Sequence, residues 1–193
     1  MLLLRALRHT FAVAVLATLP AAAVTVSAGT VTPAEARELG AADKAAVQKR
    51  VDAFTGAMDA KEYVKIASFL PPRVLELISS KSNVSIDKLK ASMEKVMQST
   101  MQQVDIKSFS MSVDDADVRA GTGGEPFLLV PTKTVVKAPD GRTVEATSHT
   151  LALKDKDVWY LMRVQLQQVQ LLAEAYPYLK GVTFPRGSMK VIE

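Results

Sequence analysis

The chain of 193 residues has no cysteine. That excludes disulfide bridges, thiolate nucleophiles, cysteine-zinc sites and the lipid-bearing cysteine of a bacterial lipoprotein. Histidine is almost as scarce, at two residues, His9 and His149. A mechanism that needs two imidazoles on one metal, as in HExxH hydrolases, has no place in a chain that would keep only His149 after amino-terminal processing. Nor is there a strong excess of one charge, with 24 basic residues against 20 acidic ones. Lys81, Lys88, Lys90 and Lys95 are interleaved with Asp87 and Glu94, so no basic stripe forms and nucleic acid is not an expected partner. Internal repeats and low-complexity segments are missing as well.

What is present begins with an address. Arg5 and Arg8 give a positive start, an apolar run extends from Phe11 to Val26, and Val26-Ser27-Ala28 offers small residues for cleavage. Thr18 and Pro20 interrupt the run, which favours a signal peptide over residues 1–28 rather than an anchor, with no transmembrane segment after cleavage. The expected product is a soluble periplasmic or secreted protein of bacterial character. Asn83-Val84-Ser85 is a glycosylation sequon that would matter only in a eukaryotic host. Residues 29–42 read as a flexible amino-terminal segment, and 43–193 as a single domain with helices first, strands second and a last helix and tail. That order predicts an α+β fold: helices packed on a curved antiparallel sheet of about four strands.

Thr32-Pro33-Ala34-Glu35 reads as a capping box opening a helix that extends to about Asp59, with Val47, Val51, Phe54 and Met58 as its buried stripe. Tyr63, Ile66, Ala67 and Leu70 mark a short helix stopped by Pro71-Pro72, and Arg73 to Ile78 adds a turn or two. Asn83 or Ser85 caps a longer helix with inner face Ile86, Leu89, Met93, Val96, Met97, Met101 and Val104. The period then changes to two. Phe109, Met111 and Val113 alternate with serines in a first strand, and Asp114 to Glu125 is a polar connection. Phe127 to Lys137 is a strand placed at an edge or bulge by Pro131, and Pro139-Asp140-Gly141 a turn. Thr143 to Leu153 and Val158 to Val164 follow as strands about a Lys154–Asp157 turn. Pairing Leu153 with Val158 would set Leu151 against Tyr160 and His149 against Met162. Leu166, Val169, Leu172 and Tyr176 stripe the final helix.

No motif specifies a reaction, a cofactor or a metal. His149 is the one side chain suited to acid-base work near neutrality, yet Glu145 lies ~13 Å along the strand, too far to orient it. Asp114, Asp115 and Asp117 lack EF-hand spacing, with Ala120 where glycine is needed. Gly121-Thr122-Gly123-Gly124 precedes a strand, not the helix that would hold a phosphate. Ser85-Ile86-Asp87-Lys88 and Ser92-Met93-Glu94-Lys95 fit S-x-x-K without its companion elements, and Ser85 reads as a cap. Met93, Met97 and Met101 either fill the space between helix and sheet or line an adaptable cavity, with Phe109, Met111, His149, Leu151, Tyr160 and Met162 opposite.

Amino-terminal helices, a strand meander broken by Pro131 and an aromatic strand from Val158 to Val164 resemble the SnoaL-like and ketosteroid isomerase-like superfamily, the cone-shaped fold of nuclear transport factor two. The resemblance covers about residues 42–164 and implies a pocket between curved sheet and helices. The isomerases' aspartate-tyrosine set has no counterpart here. Trp159 and Val164 are also similar to the tryptophan strand of MlaC-type periplasmic phospholipid carriers, although Arg163 stands at their aspartate and Gln168-Val169-Gln170 at their Gly-Val-Ser. The expectation is a non-catalytic binding module for an apolar small molecule, a lipid or a protein partner. The alternatives are a cofactor-free enzyme using His149, with Tyr160 or Arg163 as helpers, and a subunit of a periplasmic assembly, homo-oligomers included, docking through Tyr178 to Met189.

Overall fold

The computed structural model describes residues 39–102, 105–138 and 140–192. The export signal, the Thr32–Glu35 capping box, Val104 and Pro139 lie outside the described residues, as does most of the segment read as flexible. The fold is α+β. Helix α1 (Ala41–Asp59) buries Val47 and Val51 and half-buries Phe54 and Met58, the stripe its spacing predicts. Lys61 closes it in the left-handed region at φ 56°, and the Glu62 amide donates to the Ala57 carbonyl at 2.8 Å. This is the 6→1 bond of a helix stop normally occupied by glycine.

A 3₁₀ turn, Tyr63–Phe69, buries Ile66, Ala67 and Phe69. Leu70 is extended ahead of Pro71, since a proline ring crowds helical geometry in the residue before it. Helix α2 (Pro72–Ser82) is longer than the turn or two expected, and Asn83 ends it in the left-handed region at φ 53°. Ser85 opens α3 (Ile86–Gln102), its Oγ accepting from the Lys88 amide at 3.4 Å, so the two candidate caps divide the work of closing and opening.

The antiparallel sheet is curled and six-stranded. Its spine is the pair β3 (Pro126–Lys137) and β4 (Thr143–Asp155), joined through the Ala138–Arg142 turn. Both β1 (Asp105–Met111) and β2 (Asp117–Ala120) pair with β3, one after the other along its length. On the far side, β5 (Val158–Arg163) and β6 (Ser188–Val191) share β4 in the same way. The sequence reading missed β2 and β6, four-residue strands inside stretches that look like polar loop and tail.

Pro131 is not at an edge. Its carbonyl accepts from the Ser112 amide at 3.2 Å, so the missing proline N–H points at the interval where the chain leaves β1 for β2. A central strand tolerates proline there because no ladder bond is lost. The last hairpin also differs from expectation. Only Lys156 and Asp157 form its turn, at φ 47° and 65°, and the register moves by two: Leu153 faces Tyr160 and Leu151 faces Met162. A shift of two keeps every side chain on its expected face.

Helices cover both faces of the sheet. On the first, Leu128, Val130, Ala152 and Leu161 pack with Trp159 against α1 and the 3₁₀ turn. On the second, Phe127, Leu129, Leu151, Leu153 and Met162 meet Val74 of α2, Leu172 of α4 (Val169–Ala175), Tyr176, Leu179 and Phe184. The segment read as a docking tail is used internally as far as Phe184. Arg119 Nη1 donates to the Thr183 carbonyl at 2.9 Å, and the Thr122 amide to Tyr178 at 2.8 Å. Asp43 ties the start of α1 to the sheet, accepting from Trp159 Nε1 at 3.1 Å and Lys154 Nζ at 2.9 Å.

Two consecutive left-handed residues define a type I′ hairpin turn, for which Asn-Gly is far better suited than Lys-Asp. Replacing Lys156→Asn with Asp157→Gly is expected to raise stability by about 1 kcal/mol, because lysine is strained in the left-handed region, Asn tolerates it, and Gly enters it more freely than Asp. Urea denaturation with an unchanged m-value checks it.

Candidate functional site

The apolar residues of α3 recur at helical spacing, yet none of its residues is buried. The helix stacks on the 3₁₀ turn and on α2 rather than lying flat on the sheet. Met97 reaches the first-face core with Phe54, Met58 and Met111, and Phe109 meets Phe54 with ring centroids 5.7 Å apart. Val96 is not part of the inner face; it is 61% exposed. Met101, Gln98 and Gln102 of α3, Tyr63 of the turn, Lys61 after α1, and Asp105 and Ile106 of β1 line an open groove of about 320 Å³. The register of β1 against β3 shifts between Ile106 and Ser108, beside this lining.

The residues expected around one cavity are divided by the sheet. Met97, Met111 and Phe109 lie on the first face, with Met101 at the groove, whereas Leu151, Met162 and Tyr160 belong to the second-face core. Met93 is half-buried on α3. Alternation explains the division, since Leu151 must point away from the side taken by Ala152 and Thr150. His149 shares the second face, opposite Pro131 in the register. Its Nδ1 is enclosed and has no hydrogen-bond partner among the described residues. Glu145 is committed to Lys133 at 2.6 Å, and Arg163 pairs across from Thr150 on the other face, so neither joins His149. Tyr160 instead lies 5.7 Å from the Arg50 guanidinium, which stacks on Phe69 at 4.3 Å and donates through Nη2 to the Ser68 carbonyl at 2.6 Å.

The other motifs resolve into local structure. Lys44 pairs with Asp114 at 2.8 Å, Ser112 Oγ with Asp115 at 2.7 Å, and Arg119 Nε with Asp117 at 2.7 Å, so the three carboxylates do not converge. Among the described residues, no three metal-ligating side chains gather. Gly121 packs on Tyr178 so closely that a Cβ would come within 2.5 Å of it, which accounts for glycine in the β2–β3 turn. Asp155, read as part of a turn, is a buried strand residue that accepts from Tyr176 Oη at 3.0 Å, with Arg73 Nε at 3.6 Å. The pair fastens α4 beneath the sheet.

No family model matches the chain, and neither a curated protein nor a solved structure matches it significantly. The geometry therefore carries the functional argument. Of the predicted set, Met97, Met101, Phe109 and Met111 share the side of the sheet that opens into the groove. Lys61, Tyr63, Gln98, Gln102, Asp105 and Ile106 escaped the sequence reading. The one signal in the sequence was the strand that follows α3 so closely; the stop at Lys61 is seen only in the structure.

Burial, together with the negative charges of Asp155 and Glu125, pushes the Tyr178 phenol from 10.0 up to about 12. Burial first, then the bond to Asp155, pushes Tyr176 further up. A raised folded-state value favours the protonated phenol, so this contribution is intact below pH 10.0 and lost as pH rises towards about 12. Unfolding free energy is expected to fall across that window, and Tyr178→Phe to flatten the slope, as alkaline denaturation series on both proteins will read.

Proposed function

We propose that the chain is an exported, non-catalytic binding module that holds an apolar small molecule or lipid chain between α3 and the first face of the sheet. One observation carries this reading: a 17-residue helix with a methionine stripe buries none of its residues and stands over an open groove. An amphipathic helix in a finished domain ordinarily buries its stripe. Methionine suits a surface that must repack around a guest, since its thioether is flexible and polarizable. The architectural likeness to the SnoaL-like superfamily supports the same reading, because its members enclose pockets between curved sheet and helices. Residues 1–28 would direct the protein to the periplasm or outside the cell.

A neutral fluorescent probe, N-phenyl-1-naphthylamine, is expected to bind at one saturable site. Met101→Glu should abolish that binding without lowering the melting temperature, because it places a charge in the groove and leaves the core intact. Non-saturable emission from the unmodified protein would end this reading.

A protein partner is favoured by a different feature. Met189, Val191 and Ile192 of the β6 segment are exposed, Met189 at 81%, along an edge strand that covers only part of β4. Such an edge invites strand pairing with another chain. If it joins two copies, sedimentation will show a dimer that Met189→Lys converts to monomer; a concentration-independent monomer rejects self-association.

A further inference from the structure

The groove has a polarity that its apolar wall does not explain. Asp105 is the one carboxylate in its lining, and lysines approach it from three elements. Lys107 Nζ pairs with it at 2.5 Å, Lys61 lines the groove beside it, and Lys137, outside the lining, is its direct cross-strand partner in β3. Lys61 and Lys137 have no ion-pair partner among the described residues, so positive charge is in excess around Asp105, while Met101 and Ile106 supply the aliphatic part of the lining. The Asp105 carboxyl is held below the usual range first by the Lys107 hydrogen bond, with Lys107, Lys61 and Lys137 adding Coulombic attraction. One negative charge does not neutralise three ammonium groups.

Lys61 occupies its place against a backbone preference. At φ 56° it fills the left-handed helix stop where glycine sits without strain. Its long side chain can lay methylenes along an apolar wall while its ammonium stays at the mouth. The volume, about 320 Å³, lies at the bottom of the ~300–1,000 Å³ range of small-molecule sites. That suits one narrow chain better than two.

We propose that this groove binds the single acyl chain of an anionic amphiphile, such as a fatty acid, with Lys61, Lys107 and Lys137 gathering its head group at the rim. The proposal rests on the reading of the groove as an apolar binding site and adds the charge and chain number of the occupant. Tyr63, Gln98 and Gln102 add neutral hydrogen-bonding groups to the lining.

The test is calorimetric titration of delipidated protein with three probes of equal chain length, each below its micellar concentration: dodecanoate, dodecanol and dodecyltrimethylammonium. Dodecanoate is expected to bind about tenfold more tightly than dodecanol, and the cationic probe most weakly, a difference of about 1.4 kcal/mol for each tenfold step. Lys61→Gly with Lys137→Gln should remove most of the dodecanoate advantage over dodecanol, whose own binding weakens only by the loss of the Lys61 methylenes. Because glycine relieves the left-handed position, this variant should melt no lower than the unmodified protein, so weaker binding cannot be put down to unfolding. Equal binding of all three probes overturns the anionic head group while leaving the apolar site standing. Failure of all three to bind overturns both. Tighter binding of a two-chain anionic phospholipid in vesicles than of dodecanoate overturns the single chain.

Discussion

Phe127, Leu128, Leu129 and Val130 lie in unbroken register against Leu153, Ala152, Leu151 and Thr150, and successive residues point to opposite faces of the sheet. The four β3 residues are each exposed by 1% or less. A strand pair apolar on both sides cannot leave either face to water, so two layers of helix are required. The rest of the architecture follows from that demand. The first face takes α1 and the 3₁₀ turn; the second takes α2, α4 and the chain as far as Phe184. At about 25 cal/mol per Å² of apolar area removed from water, these two cores are the main source of stability.

The same two strands change character beyond Thr132 and Thr150, whose hydroxyls hydrogen-bond each other at 2.8 Å within the buried first face. From Lys133 to Lys137 and from Thr143 to Thr147 the residues are half-buried or exposed. Here the second face carries the Lys133–Glu145 ion pair. The first face keeps Val136, Val144 and Ala146, with Phe109, Ile106, Met189 and Val191 on neighbouring strands. One end of the sheet is therefore a filled three-layer core and the other a partly uncovered apolar surface. Helix α3 stands at that transition. Its stripe joins the first-face core at Met97 and lines the groove at Met101.

Much of this was legible residue by residue. Val47, Val51, Phe54 and Met58 announced the face of α1, Pro71-Pro72 the stop before α2, and the alternation about Phe109 and Met111 the first strand. Phe127–Lys137 and Thr143–Leu153 were legible as strands, but proline at 131 pointed to an edge or bulge, and their burial on both faces appears only in the structure. The candidate site was legible only in part, because Met93, Met97 and Met101 are defined by spacing on one helix, whereas their neighbours are defined by which side of the sheet the helix approaches. Leu151, Tyr160 and Met162 are equally apolar and equally strand-borne. Nothing in their local pattern assigns them to the opposite core.

Taken alone, the sequence determined the element types, most of their lengths, the α+β order and the exclusion of cysteine chemistry, because these depend on residue identity and on periods of two and 3.6. It also set face parity, which survived a two-residue change of hairpin register. Tertiary structure decided the strand partners of Pro131, the burial of Asp155 under Tyr176, the two short strands and the division of apolar residues between two cores. It alone brought Lys61, Asp105 and Lys137 together at the end of α3, because contacts between a helix stop and two strands depend on how layers pack and not on any spacing along the chain.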